Sequence, residues 1–151
     1  MRHRRPTIAT LVVLVCLVGI AACGSSTAAQ FKAGYASARG PLNRTFAEVA
    51  KTFRRVRGKT VAEAATSFGT LAARFGEELG PLETLDPPPK LATAFRTLTS
   101  SLNRVESDLR GASTALAAKD VVAAAHSLQN LQSDASAATD AATVVTEKLR
   151  S

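Results

Sequence analysis

Side chains that commonly carry chemistry are scarce in this sequence. Its 151 residues include two cysteines, two histidines, one methionine, one tyrosine and no tryptophan. Two cysteines exclude a cysteine-rich zinc site and a disulfide scaffold. Two histidines leave little for metal or acid–base chemistry, and nine glycines are too few for a system of phosphate-binding loops. The length of the chain corresponds to one domain.

Specific metal, haem and catalytic motifs are absent as well. No Glu-x-x-His or Cys-x-x-Cys-His occurs, which excludes the di-iron pattern of helical bundles and c-type haem attachment. His126 is expected on an exposed helix face, where one histidine cannot serve a nucleophilic triad. Glu77 and Glu78 are neighbours and point in different directions on a helix. We therefore expect no catalytic residues, no metal, no cofactor and no enzyme activity.

The first 22 residues have the pattern of an export signal. A basic start from Arg2 to Arg5 precedes an uncharged apolar run from Ile8 to Ile20. This run is too short for a transmembrane helix, which needs about 20 apolar residues. The sequence predicts a secretory signal peptide over residues 1–22, which is removed on export.

The four residues that end at Cys23, Ile-Ala-Ala-Cys, resemble the lipobox of bacterial lipoproteins. In that family a diacylglyceryl group is attached to the cysteine thiol, and signal peptidase II cleaves before the cysteine. The resemblance implies cleavage between Ala22 and Cys23 and lipidation of Cys23. Cys16 does not compete, because it lies within the apolar run and follows a large residue. The protein is then expected to be lipid-anchored at the cell membrane on its extracytoplasmic face.

The remaining residues show the apolar periodicity of helices and not of strands. Residues 23–29 are predicted to form the lipidated cysteine and a flexible tether, and residues 30–151 to form the bundle domain. Short connections between four apolar stripes predict an all-α, up-down-up-down antiparallel four-helix bundle. The alternative is a three-helix bundle with residues 30–40 as a detached arm. The first stripe runs from about Gln30 to Val56, the second follows Thr60, the third begins near Lys90 and the fourth follows Asp120.

Local signals support these helix boundaries. Thr60 and Glu63 have the spacing of a capping box, and Asp120 is suited to cap the fourth helix. Gly40-Pro41 interrupts the first stripe, because proline removes a helix donor and disfavours the helical backbone before it. The stripe keeps its phase across this pair, which favours one kinked helix over two.

Positive charge is concentrated in and just after the first helix. Residues 32–59 contain eight basic side chains and Glu48 as the single acidic one. Such charge complements a helix C-terminus and keeps a small domain soluble. The functional interpretation is a basic face that binds an envelope protein or an anionic wall polymer. This basic face consists of Arg44, Lys51, Arg54, Arg55, Arg57 and Lys59. Nucleic acid is not expected, because aromatic residues for base stacking are missing there.

Small residues occupy the fourth stripe at Ala135, Ala138 and Ala142. They either let the helices pack closely around larger facing side chains or leave an apolar cavity for a lipid-like ligand. The pattern leaves both interpretations open. It also leaves the oligomeric state open, since a second copy of the chain can complete a heptad stripe.

Together, the lipobox at Cys23 and the Leu85-Asp-Pro-Pro-Pro89 hairpin between heptad helices define a type of protein. The chain resembles the small helical-bundle lipoproteins of actinobacteria and related high-GC bacteria. This resemblance implies a membrane-anchored extracytoplasmic bundle and no particular reaction. The sequence thus predicts a non-enzymatic interaction module that uses its basic face. The alternative is a carrier or sensor of an apolar ligand held in the bundle core.

Replacing Cys23 with alanine is expected to abolish lipid labelling, because the thiol that accepts the diacylglyceryl group is removed. The protein should remain unprocessed or be released from the membrane. Incorporation of labelled palmitate and fractionation of the envelope measure both effects. Cys16→Ala is the matched control and should keep the label. Labelling that survives Cys23→Ala would contradict the lipoprotein interpretation.

Overall fold

The computed structural model describes residues 23–151, which form four α-helices joined by short connections. No strand occurs within this part of the chain, so the predicted all-α four-helix bundle is confirmed. The predicted signal peptide, including Ala22 at the cleavage site, lies outside the described residues. The helices are α1 (Cys23–Arg55), α2 (Val61–Glu83), α3 (Pro89–Ala117) and α4 (Val121–Arg150), with a 3₁₀ turn at Val56–Gly58 after α1.

Aromatic contacts show how the helices are oriented. Phe31 near the start of α1 meets Phe95 near the start of α3, with ring centroids 5.1 Å apart in an edge-to-face arrangement. Phe53 near the end of α1 meets Phe68 near the start of α2 at 5.8 Å, also edge-to-face. Neighbouring helices therefore run in opposite directions. Such pairs contribute about 0.5–1.5 kcal/mol each beyond their buried area.

The start of α1 belongs to the bundle. Phe31, Tyr35 and Ala38 are all buried against the other helices. Residues 30–40 are consequently not a detached arm, and the three-helix alternative is wrong.

The segment expected to be a tether differs in the structure. Residues 23–29 are helical and continue without a break into the rest of α1. Alanines and a glutamine at residues 28–30 favour the helix intrinsically. Burial of Phe31 fixes the helical turn that contains it. Residues 23–29 can extend this turn toward the N-terminus without the free-energy cost of a new helix nucleus. The helical part of the chain thus begins at Cys23 and not at residue 30.

Gly-Pro pairs lie inside α1 and α2 and end neither helix. Proline crowds the β-carbon of the preceding residue in the helical conformation. Gly40 and Gly80 have no β-carbon, so this particular clash is absent. The costs that remain at each proline are the lost backbone hydrogen bond and the contact of the ring with the carbonyl four residues earlier. The prediction that α1 runs through Gly40-Pro41 as one helix is confirmed.

Both predicted helix caps are present. The Glu63 amide donates to Thr60 Oγ1 at 3.2 Å, and the Thr60 amide donates to Glu63 Oε2 at 2.8 Å. The Thr60 hydroxyl also donates to Glu63 Oε2 at 2.8 Å. The two hydrogen bonds that the carboxylate accepts from Thr60 lower the pKa of Glu63, because they favour its charged form. The Ala123 amide donates to Asp120 Oδ1 at 2.9 Å. The capping box of α2 and the N-cap of α4 therefore stand as predicted.

The helices do not pack equally. The α3–α4 pair is the closest, followed by α2–α3 and α1–α2, whereas the backbones of α1 and α4 hardly approach each other. α4 buries mainly small residues, including Ala124, Ala138 and Ala141, and these allow its close contact with α3. The side of the bundle between α1 and α4 is consequently less tightly closed.

Candidate functional site

A groove opens to the surface between α1 and α4 and reaches the bundle core. Its volume is about 390 Å³, which lies within the range of about 300–1,000 Å³ that is usual for ligand pockets. We call it the α1–α4 groove. Residues from all four helices contribute its apolar lining, which consists of Leu42, Phe46, Leu82, Leu98, Leu102, Ala138 and Ala142.

Small side chains on α4 account for the space. Ala138 and Ala142 line the α1–α4 groove directly opposite larger residues from α1 and α3. Ala135, the third small residue in the same stripe, packs against the core and does not line the groove. Ala138, which is 2% exposed, and Ala142 also pack with the core, so close packing holds at all three alanines. Ala138 and Ala142 in addition border the groove.

Polar side chains form the rim of the groove on both flanking helices. Arg39 and Arg150 form no ion pair with any carboxylate in residues 23–151. Glu147 is the single acidic residue of the rim, against the two arginines, so the rim carries a net positive charge. The exposed rim residues are Arg39 and Asn43 on α1 and Thr139, Thr143, Glu147 and Arg150 on α4.

Tyr35 closes one end of the groove. Its side chain is only 4% exposed, and its buried hydroxyl has no hydrogen-bond partner within the described chain. The neighbouring Thr146 hydroxyl donates its own proton to the Ala142 carbonyl at 2.7 Å. An unsatisfied buried polar group costs about 1–3 kcal/mol. The Tyr35 hydroxyl therefore marks a position at which a ligand atom could be stabilised.

Burial also determines the protonation of this tyrosine. It raises the pKa of Tyr35, and the Thr146 hydroxyl and the Arg39 guanidinium offset the increase only in part. The phenol consequently remains protonated at neutral pH and can donate a hydrogen bond.

The predicted basic face is exposed on α1, apart from the core. Arg44, Lys51 and Arg55 follow each other at intervals of seven and four residues, so they share one side of the helix. Arg44, Arg54 and Arg55 are exposed and form no ion pair among the residues that the structure describes. Lys51 is paired with Glu48 at 3.6 Å.

The two remaining members of the basic face lie beyond the end of α1. Lys59 Nζ donates to Ser67 Oγ at 2.6 Å, which holds the lysine against the first turns of α2. The side chain of Arg57 is outside the described set. None of the five predicted residues whose side chains are described lines the α1–α4 groove, whose cations are Arg39 and Arg150.

The groove residues could be found in the sequence only in part. Ala138 and Ala142 stood out because small residues interrupt a stripe of larger ones. Tyr35 was part of the first stripe, but nothing in its position indicated an unpartnered hydroxyl. Arg39 and Arg150 border apolar stripes, a position that many exposed arginines share, and the pairing of their helices across one opening is visible only in the fold.

Cys23 is the first residue of α1, and its side chain is not among those described. From this residue to Ser151, the structure has no helix that is both long and apolar enough to cross a membrane. Over the same range, no group of three or more histidine, cysteine, aspartate or glutamate residues is arranged to hold a metal ion.

Comparisons with protein-family models, with curated proteins and with solved structures find no match to this chain. No relative therefore indicates a role for the groove, the basic face or Cys23, and their function is inferred from the chemistry of their side chains.

Outside the groove, Asp108 on α3 has the most unusual carboxylate environment. Burial and the adjacent carboxylate of Asp134 on α4 raise the pKa of Asp108 to about 6, although Arg104 and His126 partly oppose the increase. Arg104 Nε donates to Asp134 Oδ1 at 2.9 Å, so the arginine is paired with Asp134 and not with Asp108. Asp108 Oδ2 is buried without a hydrogen-bond partner in residues 23–151. The charged form of Asp108 consequently destabilises the α3–α4 contact.

Asp108→Asn is expected to raise the free energy of unfolding at pH 7.5. Aspartate in an unfolded chain has a pKa of about 3.9, below the value of about 6 in the folded protein. Between these values the folded state binds more protons than the unfolded state, so the stability of the wild type falls as pH rises. The penalty is complete above about pH 6 and absent below about pH 4, where the gain from Asn should disappear.

Urea unfolding at pH 4 and pH 7.5 measures this difference. Asp140→Asn, an exposed site on α4, is the control and should show no comparable gain. An Asp108→Asn variant that is no more stable than the wild type at pH 7.5 would contradict the prediction.

Proposed function

We propose that this protein is a lipid-anchored extracytoplasmic lipoprotein whose helical bundle binds an apolar, lipid-like molecule in the α1–α4 groove. The observation that carries the binding function is the groove itself, which connects an apolar floor in the core with the surface. Support for the anchor comes from the lipobox that ends at Cys23. The protein acts by binding and not by catalysis.

The size of the groove supports a ligand. The groove is open to solvent, and its volume of about 390 Å³ leaves room for a small molecule. Covering apolar surface contributes roughly 25 cal/mol for each Å² removed from water. A ligand with an apolar chain would cover the half-buried side chains of Phe46 and Ala142.

The position of the groove along α1 suits a ligand that comes from the membrane. Tyr35 follows Cys23 by 12 residues of continuous helix, which span about 18 Å at 1.5 Å per residue. The Tyr35 end of the groove is thus the end closer to the expected lipid anchor. A bilayer component could enter there without crossing the length of the bundle.

Ala142→Leu is expected to fill the groove and to weaken the binding of hexadecanol by about tenfold, equivalent to a loss of about 1.4 kcal/mol. Ala142 is suited to this test because it is half-buried at the groove and a larger side chain can extend into the opening. Native mass spectrometry of the full chain, titrated with hexadecanol, measures the affinity.

Ala125→Leu places the same change at an exposed position of α4 outside the groove and should leave the affinity unchanged. The proposal fails if the wild type does not bind hexadecanol, or if the two variants bind it equally well.

The basic face supports a second candidate function, the binding of an envelope protein or an anionic wall polymer. The specific observation in its favour is that Arg44, Arg54 and Arg55 are exposed and have no acidic partner in the described part of the chain. Unpaired surface charge attracts oppositely charged polymers in a way that salt screens.

Changing Arg54, Arg55 and Arg57 together to Glu is expected to abolish salt-sensitive co-sedimentation of the protein with isolated anionic wall polymer, because attraction becomes repulsion. Hexadecanol binding should be retained, since neither Arg54 nor Arg55 lines the α1–α4 groove and residue 57 follows the end of α1. Co-sedimentation at low and high salt distinguishes the outcomes. Unchanged, salt-insensitive binding would argue against this second function.

A further inference from the structure

We propose that the ligand of the α1–α4 groove is a single-chain amphiphile with an anionic head, which Tyr35, Arg39 and Arg150 bind at one end of the groove. This inference rests on the proposed lipid-binding function and specifies the class of ligand. It is carried by the distribution of donors, charges and apolar side chains along the groove.

Three side chains that donate hydrogen bonds, Tyr35, Arg39 and Arg150, line the same end of the groove. Arg39 follows Tyr35 by one turn of α1, so their side chains are neighbours on the helix surface. Arg150 follows Thr146 by one turn of α4, and Thr146 lies beside the Tyr35 hydroxyl. The two guanidinium groups are obligate donors. The tyrosine hydroxyl forms no hydrogen bond within the described chain, although the Thr146 hydroxyl lies beside it. A ligand group held there must accept hydrogen bonds.

The charge at this end favours an anion. Arg39 and Arg150 lack carboxylate partners among residues 23–151, and both line the groove. Glu147 also lines it but forms no ion pair with either arginine, so two positive charges face one negative charge. Hydrogen bonds between a guanidinium and an anionic oxygen are about twice as strong as neutral ones.

The protonation state of Tyr35 is consistent with this role. Burial raises its pKa, so the hydroxyl is a neutral donor under ordinary conditions. Its position, 4% exposed, places the donor out of competition with bulk water. A hydrogen bond from this group to a bound anion would satisfy the buried hydroxyl.

The apolar part of the groove extends away from these donors. On α1 the lining continues from Tyr35 to Phe46, a helical distance of about 16 Å. On the antiparallel α4 it continues from Arg150 back to Ala138, about 18 Å. The polar and apolar ends are therefore separated along the bundle axis. A linear acyl or alkyl chain lying parallel to the helices matches this arrangement, with its head at the end closer to Cys23.

Titration of the full chain with hexadecanoate and with hexadecanol tests the head group, because the two probes share one chain length and differ in charge. Hexadecanoate should bind about tenfold more tightly, as expected for hydrogen bonds to a charged group. Native mass spectrometry gives both affinities. Tyr35 is the single tyrosine in a chain without tryptophan, so a change in tyrosine emission on binding reports directly from the proposed head site.

Changing Arg39 and Arg150 together to Gln should reduce this preference to about twofold or less while hexadecanol affinity is retained, because the guanidinium groups contact only the head. Lys90→Gln with Arg96→Gln removes the same charge from exposed positions outside both the groove and the basic face and should keep the preference. Tyr35→Phe should weaken hexadecanoate binding but raise the melting temperature of the free protein, since an unsatisfied buried hydroxyl is removed. A purely structural tyrosine would not show this opposition.

The outcomes separate this inference from the proposed function. Equal binding of hexadecanoate and hexadecanol by the wild type would overturn the anionic head and leave lipid binding intact. Failure of both to bind would overturn lipid binding itself, and the head-group inference with it. Hexadecyl phosphate in a third titration distinguishes the two kinds of anionic head: the tighter binder of the two anions identifies a carboxylate or a phosphate ligand.

Discussion

The close contact of α4 with α3 is the constraint on which the shape of this bundle depends. Three of the five residues that α4 buries are alanines, whereas α3 buries mainly leucine, valine and phenylalanine. A helix whose buried side chains are mostly short fills less space around it. Because α4 lies close to α3, it cannot also fill the space toward α1. The α1–α4 groove is the direct consequence, and α1 is held chiefly through α2.

A bundle that served stability alone would not retain the chemistry found in this groove. The Tyr35 hydroxyl is buried without a partner in the described chain, and such groups are normally satisfied. Phenylalanine in the same place would keep the ring contact with Phe31 and remove the unsatisfied hydroxyl. Departures of this kind from ordinary packing rules tend to occur at functional sites. Thr45 Oγ1, Glu78 Oε2 and Asp108 Oδ2 are also buried without a hydrogen-bond partner in residues 23–151, but none of these three residues lines the groove.

Apolar periodicity was sufficient to predict the helices, because a stripe of buried residues depends on one helix at a time. The caps at Thr60 and Asp120 could be predicted for the same reason, since each is a contact within a few residues. The helical state of residues 23–29 was missed because their small polar composition is also typical of linkers, and burial of Phe31 decides between the two. The groove depends on side-chain volumes from four helices together, so a single stripe showed its alanines but not its rim.

The two charged surfaces of α1 differ in what surrounds them, and this difference determines their roles. Arg44, Arg54 and Arg55 face open solvent, where salt screens their attraction for a polymer and water competes for every hydrogen bond. Arg39 stands beside a buried donor and an apolar cleft, where a bound anion would be partly removed from water and held more strongly. In the proposed functions, Arg44, Arg54 and Arg55 would therefore concentrate the protein near an anionic surface, whereas Arg39, at the exposed rim of the groove, would select a ligand by its head group. A membrane anchor at Cys23 would place the groove end with Arg39 nearer to the bilayer than the basic face. The bilayer contains amphiphiles of the kind proposed as ligands.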